Sequence, residues 1–330
     1  MYESPSAPYP ASRADVGLAF GTGLLLLAVL TPSILSARDR ARASVCKSNL
    51  KMIGLACWNY ADTFRVFPPG VVVKDLDSAT GGGIGWQVMI LPFMDQKPLF
   101  DAMSFDTGPH FGTDAPADPL QTSIAAYRCP DDVSPQLNPW RVGRDTARWA
   151  TSNYSGNSGH RPLNAGLPDG LRGYWPGVAA PTAEALQRRT PSPRTAAFRQ
   201  STDRGEPENL RYNGIFGINS SVDQGHIKDG TSNTFLVGER SILGQSGLWG
   251  GIRSPANIND AMTDTSHASR LGTPGGFSSL HGAANFAFCD GTVRAVASQI
   301  ESNPHSTTNA GMGLYQRLGC RNDGLVVAEF

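Results

Sequence analysis

Residues 16 to 37, "VGLAFGTGLLLLAVLTPSILSA", hold no charged side chain. At about 1.5 Å per helical residue, such a run just reaches across a hydrocarbon core of roughly 30 Å. It predicts one membrane helix, and so a bilayer as the first partner of this chain. A cleaved signal peptide and a buried core helix stay open beside it. A signal peptide would carry a basic start, a shorter apolar core and small residues before the cut; only Arg13 precedes the run, and Leu35 stands third from the cut if Ala37 is the last residue removed. A buried helix is admissible because Gly17, Gly21, Gly23 and Pro32 dilute the run. Orientation does not follow from charge. Arg38, Arg40, Arg42, Lys47 and Lys51 would keep the following domain in the cytoplasm, but that tendency is weak ahead of a long domain.

Beyond Pro32 the periodicity becomes one-sided. Cys46, Leu50, Ile53, Cys57 and Tyr60 recur at steps of four and three, one face of a helix, while Arg38, Arg42, Lys47, Asn49 and Lys51 lie largely off it. Pro68, Pro69 and Gly70 end the pattern, because two residues without backbone donors cannot continue a helix. The expected organisation is a short tail over 1–14, a helix over 15–62 that starts in the membrane and becomes amphipathic, and an α+β domain over 63–330. That helix would be roughly 70 Å long.

Signals are shorter from there on. "IGWQVMILPFMDQ" (84–96) places Trp86, Met89, Ile90 and Phe93 at helical spacing, and strand-like alternation fits as well. Residues 105–210 read as turns and brief strands, an irregular insertion carrying little periodic core, and from 212 onward strands alternate with turns. The 37 Gly and 24 Pro agree with a loop-rich fold of short strands. Formal net charge is zero, so no global field favours nucleic acid, and the modest Arg excess between Arg128 and Arg211 suits a solvated surface.

"SSLHGAANFAFCDGTVRAV" (278–296) gathers His281, Cys289, Asp290 and Gly291. Phe286 and Phe288 alternate with small residues up to Asp-Gly, with Val293 and Val296 beyond, which predicts a β-hairpin. His281 with Ser279 or Cys289 could instead serve a hydrolase, but no G-x-S-x-G elbow surrounds Ser278 or Ser279. Phosphate-loop, H-E-x-x-H and paired C-x-x-C motifs are missing too. "KDGTSNT" (228–234) offers oxygens for a hard cation or, more simply, a side-chain-capped turn. No enzymatic activity, cofactor or metal is expected.

Five cysteines leave an odd count. Cys46 and Cys57 are too far apart on one helix to bond to each other. Outside the cytoplasm a bridge from Cys46 to a distant loop cysteine such as Cys129 fits; buried free thiols are the alternative. Trp140, Trp149 and Trp175, in the loop-rich middle, suggest a second role, a surface module binding a sugar, peptide or cation.

In order along the chain, "CKSNLKMIGLACWNYADTFRVFPPG" (46–70), "WQVMILPFMDQ", "YRCPDD" (127–132), "SNYSGNSG" (152–159), "IKDGTSNTFLVGER" and "SLHGAANFAFCDGTVRAV" resemble the bacterial domain-of-unknown-function 1559 family. The residues carrying the resemblance include Asn49, Leu50, Asp229, Gly230, Thr231, Ser232, Asn233, Thr234, Glu239, His281, Asp290 and Gly291. The resemblance implies a pilin-like α+β fold with a long N-terminal helix on an antiparallel sheet, and a single-pass cell-membrane protein with its bulk extracytoplasmic. It also implies a structural or assembly role of unknown biochemistry, with pilin-like subunits as homo- or hetero-oligomeric partners.

Overall fold

The computed structural model describes residues 13–73, 82–103, 119–142, 148–160, 213–253, 259–265, 276–304, 306, 309–325 and 327. Contacts divide the chain into Met1–Ser44 and Val45–Phe330. One helix, α1 (Arg13–Phe64), contributes residues to both. It covers the segment expected to cross a membrane. Among the described residues, however, no helix is long and apolar enough to do so, and the helix by itself establishes a helix only.

In the second unit the one-sided pattern appears as burial. Cys46, Asn49, Leu50, Ile53, Ala56 and Cys57 are buried, while Lys47, Lys51 and Leu55 are exposed. Asn49, expected off the apolar face, is inside because its amide has two partners there. The helix ends where Arg65 adopts positive φ (66°), just before the two prolines, and Phe67 is pinned by its N–H to the Val222 carbonyl.

Among the described residues, eleven short strands follow: β1 (Val71–Val72), β2 (Gly83–Gly85), β3 (Leu137–Val142), β4 (Arg148–Ser152), β5 (Tyr154–Asn157), β6 (Phe235–Glu239), β7 (Gly247–Leu248), β8 (Gly251–Ile252), β9 (Met262–Thr263), β10 (Ala283–Phe288) and β11 (Val293–Ala297). They form a five-stranded sheet ordered β11-β10-β6-β5-β9 and two three-stranded sheets, β1-β2-β8 and β3-β4-β7. All pairings between them are antiparallel except β5 with β9. The fold is therefore α+β, as expected. Within the stretch read as an irregular insertion (105–210), the described residues hold β3, β4 and β5, and β5 lies inside the largest sheet. Brief strands are expected there, but with little periodic core; the inner place of β5 is not visible because its sequence, Tyr-Ser-Gly-Asn, carries no polar–apolar alternation although all four residues are buried. Residues 161–212 lie outside the described residues.

Residues 84–96 are only partly helical. They begin on β2 and continue as α2 (Trp86–Met89) and a 3₁₀ turn over Leu91–Met94, because Pro92 interrupts the helical ladder. α3 (Lys97–Asp101) follows, and α4 (Leu314–Gly319) closes the described chain.

The five-stranded sheet separates two apolar clusters. Leu50, Ile53 and Ala56 of α1 share one with Leu236, Val237 and Ala287. The other holds Phe235, Phe277, Phe286, Phe288 and, from α4, Tyr315 and Leu318. Alternation along β10 sends Ala287 to the α1 side and its two Phe neighbours to the other. Phe235 and Phe286 stack with centroids 4.0 Å apart. Trp58 of α1 donates its indole N–H to the Cys289 carbonyl (3.0 Å), tying the helix to the hairpin end.

The predicted hairpin is present, with one correction. Its connection is the three-residue Cys289-Asp290-Gly291, closed by the Phe288 N–H on the Thr292 carbonyl. Only Gly291 has positive φ (81°), whereas a two-residue Asp-Gly turn would need it at both positions. Asp290 accepts from the Thr292 N–H and hydroxyl.

Candidate functional site

The chemistry-bearing side chains converge at one place in the Val45–Phe330 unit. Cys46 is the first buried residue of α1 among those described, Cys129 lies in the loop before β3, and His281 lies just before β10. His281 Nε2 is 3.3 Å from both sulfurs. The two Sγ atoms and the imidazole nitrogen all lie within 4.8 Å of one another. On its other side, His281 Nδ1 is 3.0 Å from Asp131 Oδ2, so the Nδ1–H tautomer donates to the carboxylate and leaves the Nε2 lone pair facing the sulfurs.

Local hydrogen bonds position each group. The Cys129 N–H donates to Asn153 Oδ1 (3.0 Å), and the Cys129 carbonyl accepts from the Asp132 N–H. Asn49, one helical turn beyond Cys46, donates its amide to the Arg128 carbonyl (3.0 Å) and the Tyr154 hydroxyl (3.2 Å), holding the loop against α1. Asp132 accepts from the Ser134 N–H and, through its other oxygen, from the Ile242 N–H. The resulting loop is rigid on both sides of Cys129.

The thiols are unequal. A hydrogen bond from Cys46, with burial opposing it and further help from the Asp131 N–H and His281, brings Cys129 down to about 7. The same bond, then burial, drives Cys46 well up. Cys129 is therefore the readier thiolate and Cys46 the proton donor. Glu239, 3 % exposed, borders the site with its carboxyl pushed up by burial. Its oxygens accept from the Asn285 N–H and side-chain amide, both at 2.9 Å.

Of the residues singled out in the sequence, Cys46, Asn49, Cys129, Glu239 and His281 come together here, and Leu50 lies in the neighbouring core. Cys46 and Cys129 are adjacent as expected for a bridge, but as free thiols, as are the other three cysteines. Cys289 is buried at the hairpin turn, away from His281's partners. Ser279 accepts from the His281 N–H rather than facing the imidazole as a nucleophile would.

Asp229, Gly230, Thr231, Ser232, Asn233 and Thr234 form a structural turn. Gly230 has φ 94°, Asn233 donates to the Asp229 carbonyl, Thr234 to the Gly230 carbonyl, and Ser232 accepts from Arg294. The Asp229 carboxylate accepts the Asp323 and Gly324 N–H groups. That is the capped turn rather than a cation loop. Asp290 and Gly291 belong to the hairpin connection. Trp149, expected on an exposed loop, is 1 % exposed in the main core, which removes it as a sugar platform; the side chains of Trp140 and Trp175 lie outside the described residues.

Sequence reasoning missed Asp131 and Tyr154. Asp131 stands two residues after Cys129 in "YRCPDD", and a carboxylate beside one of two expected cysteines was its only signal.

No curated protein and no solved structure matches this chain. The family model described as a protein of unknown function, DUF1559, matches residues 35–303, a span that contains all four groups of the Cys46–Cys129–His281–Asp131 cluster. The chain belongs to the DUF1559 family.

Proposed function

We propose that this is a membrane-anchored, extracytoplasmic, pilin-like protein with a structural or assembly role. One observation carries the proposal: a charge-free stretch of sequence over 16–37 opens a single 52-residue helix whose later part is built into an α+β core. Leu24 (73 % exposed) and Ile34 (56 %) display apolar surface on that first part. Water is a poor solvent for such a surface, and a bilayer or the helices of neighbouring subunits would cover it.

Fractionation of cells producing the full chain tests this. The protein should stay in the membrane pellet after alkaline carbonate extraction, and protease added outside intact spheroplasts should digest the domain. Release into the supernatant overturns the anchor. Protection until lysis overturns the orientation. Crosslinking in cells that captures neither a second copy nor another membrane protein removes the assembly role.

A further inference from the structure

We propose that Cys46, Cys129 and His281 form a binding site for one borderline divalent cation, of which Zn²⁺ is the type. The inference does not depend on the membrane anchor, because every residue it uses lies in the Val45–Phe330 unit.

Three features of geometry carry it. First, three donor atoms from chain positions far apart point at one volume, with His281 Nε2 at 3.3 Å from each sulfur. Tetrahedral zinc with Zn–S of about 2.3 Å and Zn–N of about 2.05 Å places such N and S atoms about 3.5 Å apart. Thus, both N···S distances lie within a few tenths of an ångström of those in a loaded site. Secondly, the imidazole is oriented from behind: Asp131 takes the Nδ1–H at 3.0 Å, the carboxylate–histidine arrangement that fixes the tautomer of metal-bound histidines. Thirdly, the cluster reaches the surface: the side chains of His281 and Asp131 are 9 % and 16 % exposed and Cys129 is 8 % exposed, while Cys46 is fully buried.

The donor set selects the metal class. Two thiolates and one imidazole suit Zn²⁺ and exclude the hard cations Mg²⁺ and Ca²⁺, which take oxygen. Binding breaks two S–H bonds and forms two metal–sulfur bonds. The two protons leave to solvent, no electrons move, and the neutral Nε2 lone pair makes the third bond. Two thiolates on a dication give zero net charge, which suits a half-buried place. Glu239 is not counted as a ligand, because the donor atoms that lie within 4.8 Å of one another are those of Cys46, Cys129 and His281. The fourth position falls to water, or to a donor from a bound partner. The bound ion would cross-link three segments, α1, the loop before β3 and the loop before β10.

The test uses the full chain, solubilised in detergent, reduced, chelator-treated and held under anaerobic conditions. Titration with Co²⁺ should give sulfur-to-cobalt charge-transfer absorption and the intense d–d bands of a tetrahedral site, saturating at one equivalent, and Zn²⁺ should bleach them. Cys129→Ser and His281→Gln should lose or strongly weaken these bands, while Cys320→Ser, at a buried cysteine elsewhere, should keep them. Asp131→Asn should retain the bands with affinity lowered roughly 10- to 100-fold. Near-UV circular dichroism of each variant separates a lost site from a lost fold. The absence of cobalt–thiolate bands in the folded wild type overturns the proposal, as do bands that survive in folded Cys129→Ser. Protein taken without reductant from its native membranes provides a separate check: if Cys46 and Cys129 resist thiol labelling until reduced, the pair is a disulfide in the native protein and the metal site is refuted.

Discussion

Two buried residues show how neighbours, more than residue type, set chemistry. His160 is 2 % exposed, and burial lowers its pKa to about 4 from an ordinary value near 6.5. Since the folded value lies below the unfolded one, the unfolded chain binds the extra proton between these two pH values. The contribution of His160 is therefore fully present above about pH 6.5 and is lost as the pH falls towards 4. The stability of wild type relative to His160→Gln, from urea melts at a series of pH values, should rise by up to about 3 kcal/mol across that window and be flat above it. Asn49 serves a different purpose. Its amide donates to the Arg128 carbonyl in the loop before β3 and to the Tyr154 hydroxyl of β5, which itself donates to the Cys46 carbonyl, so removing it leaves the Arg128 carbonyl without this donor. Asn49→Ala should cost about 1–3 kcal/mol in a urea melt, and a near-neutral outcome would mean that water replaces it.

At the scale of elements, the five-stranded sheet depends on a size match between β6 and β10. Gly238 sits opposite Phe286 in the antiparallel register, and a β-carbon there would lie 2.5 Å from the Phe286 ring and 2.6 Å from Phe277. Both rings are fully buried, and Phe286 is held in the stack on Phe235. Gly238→Ala should thus destabilise by about 1–3 kcal/mol through overpacking. The same substitution at an exposed strand position would be mild. On the opposite face of the sheet, Leu50 of α1 is fully buried among Ile53, Leu236 and Ala287. Leu50→Ala should cost about 2–5 kcal/mol, the loss expected when a core leucine leaves a cavity. A thermal melt unchanged by Leu50→Ala would mean that α1 does not pack on the sheet as described.

For the whole molecule, the division at Ser44/Val45 predicts that residues 45–330 keep the domain fold without the first part of α1. Both apolar clusters and the Cys46–Cys129–His281 site fall within that segment. Deletion of residues 1–44 should leave near-UV circular dichroism and cobalt uptake unchanged while abolishing recovery in the membrane pellet. Loss of the fold on deletion would show that the first unit contributes to the core. A truncated protein that remains in the pellet would remove residues 16–37 as the anchor.

Sequence alone determined what depends on short-range pattern. A stretch without charge, apolar residues at steps of three and four, and a double proline together specified α1 and its end, because helical burial repeats within one or two turns. Phe-x-Phe before Asp-Gly specified the β10–β11 hairpin for the same local reason, although the three-residue connection was settled by register. Buried β5 left no such pattern: with all its residues inside, its identity as an inner strand came only from pairing with β6 and β9. The site was legible in part. Cys46, Cys129 and His281 were each visible as reactive types, and the first two as a pair, but the meeting of His281 with both sulfurs spans separations of 152 and 235 residues. No periodicity reaches that far. Tertiary packing alone decided that one imidazole should face two thiols with a carboxylate behind it, because the positions of two loops and a helix are set by the sheet and cores that carry them.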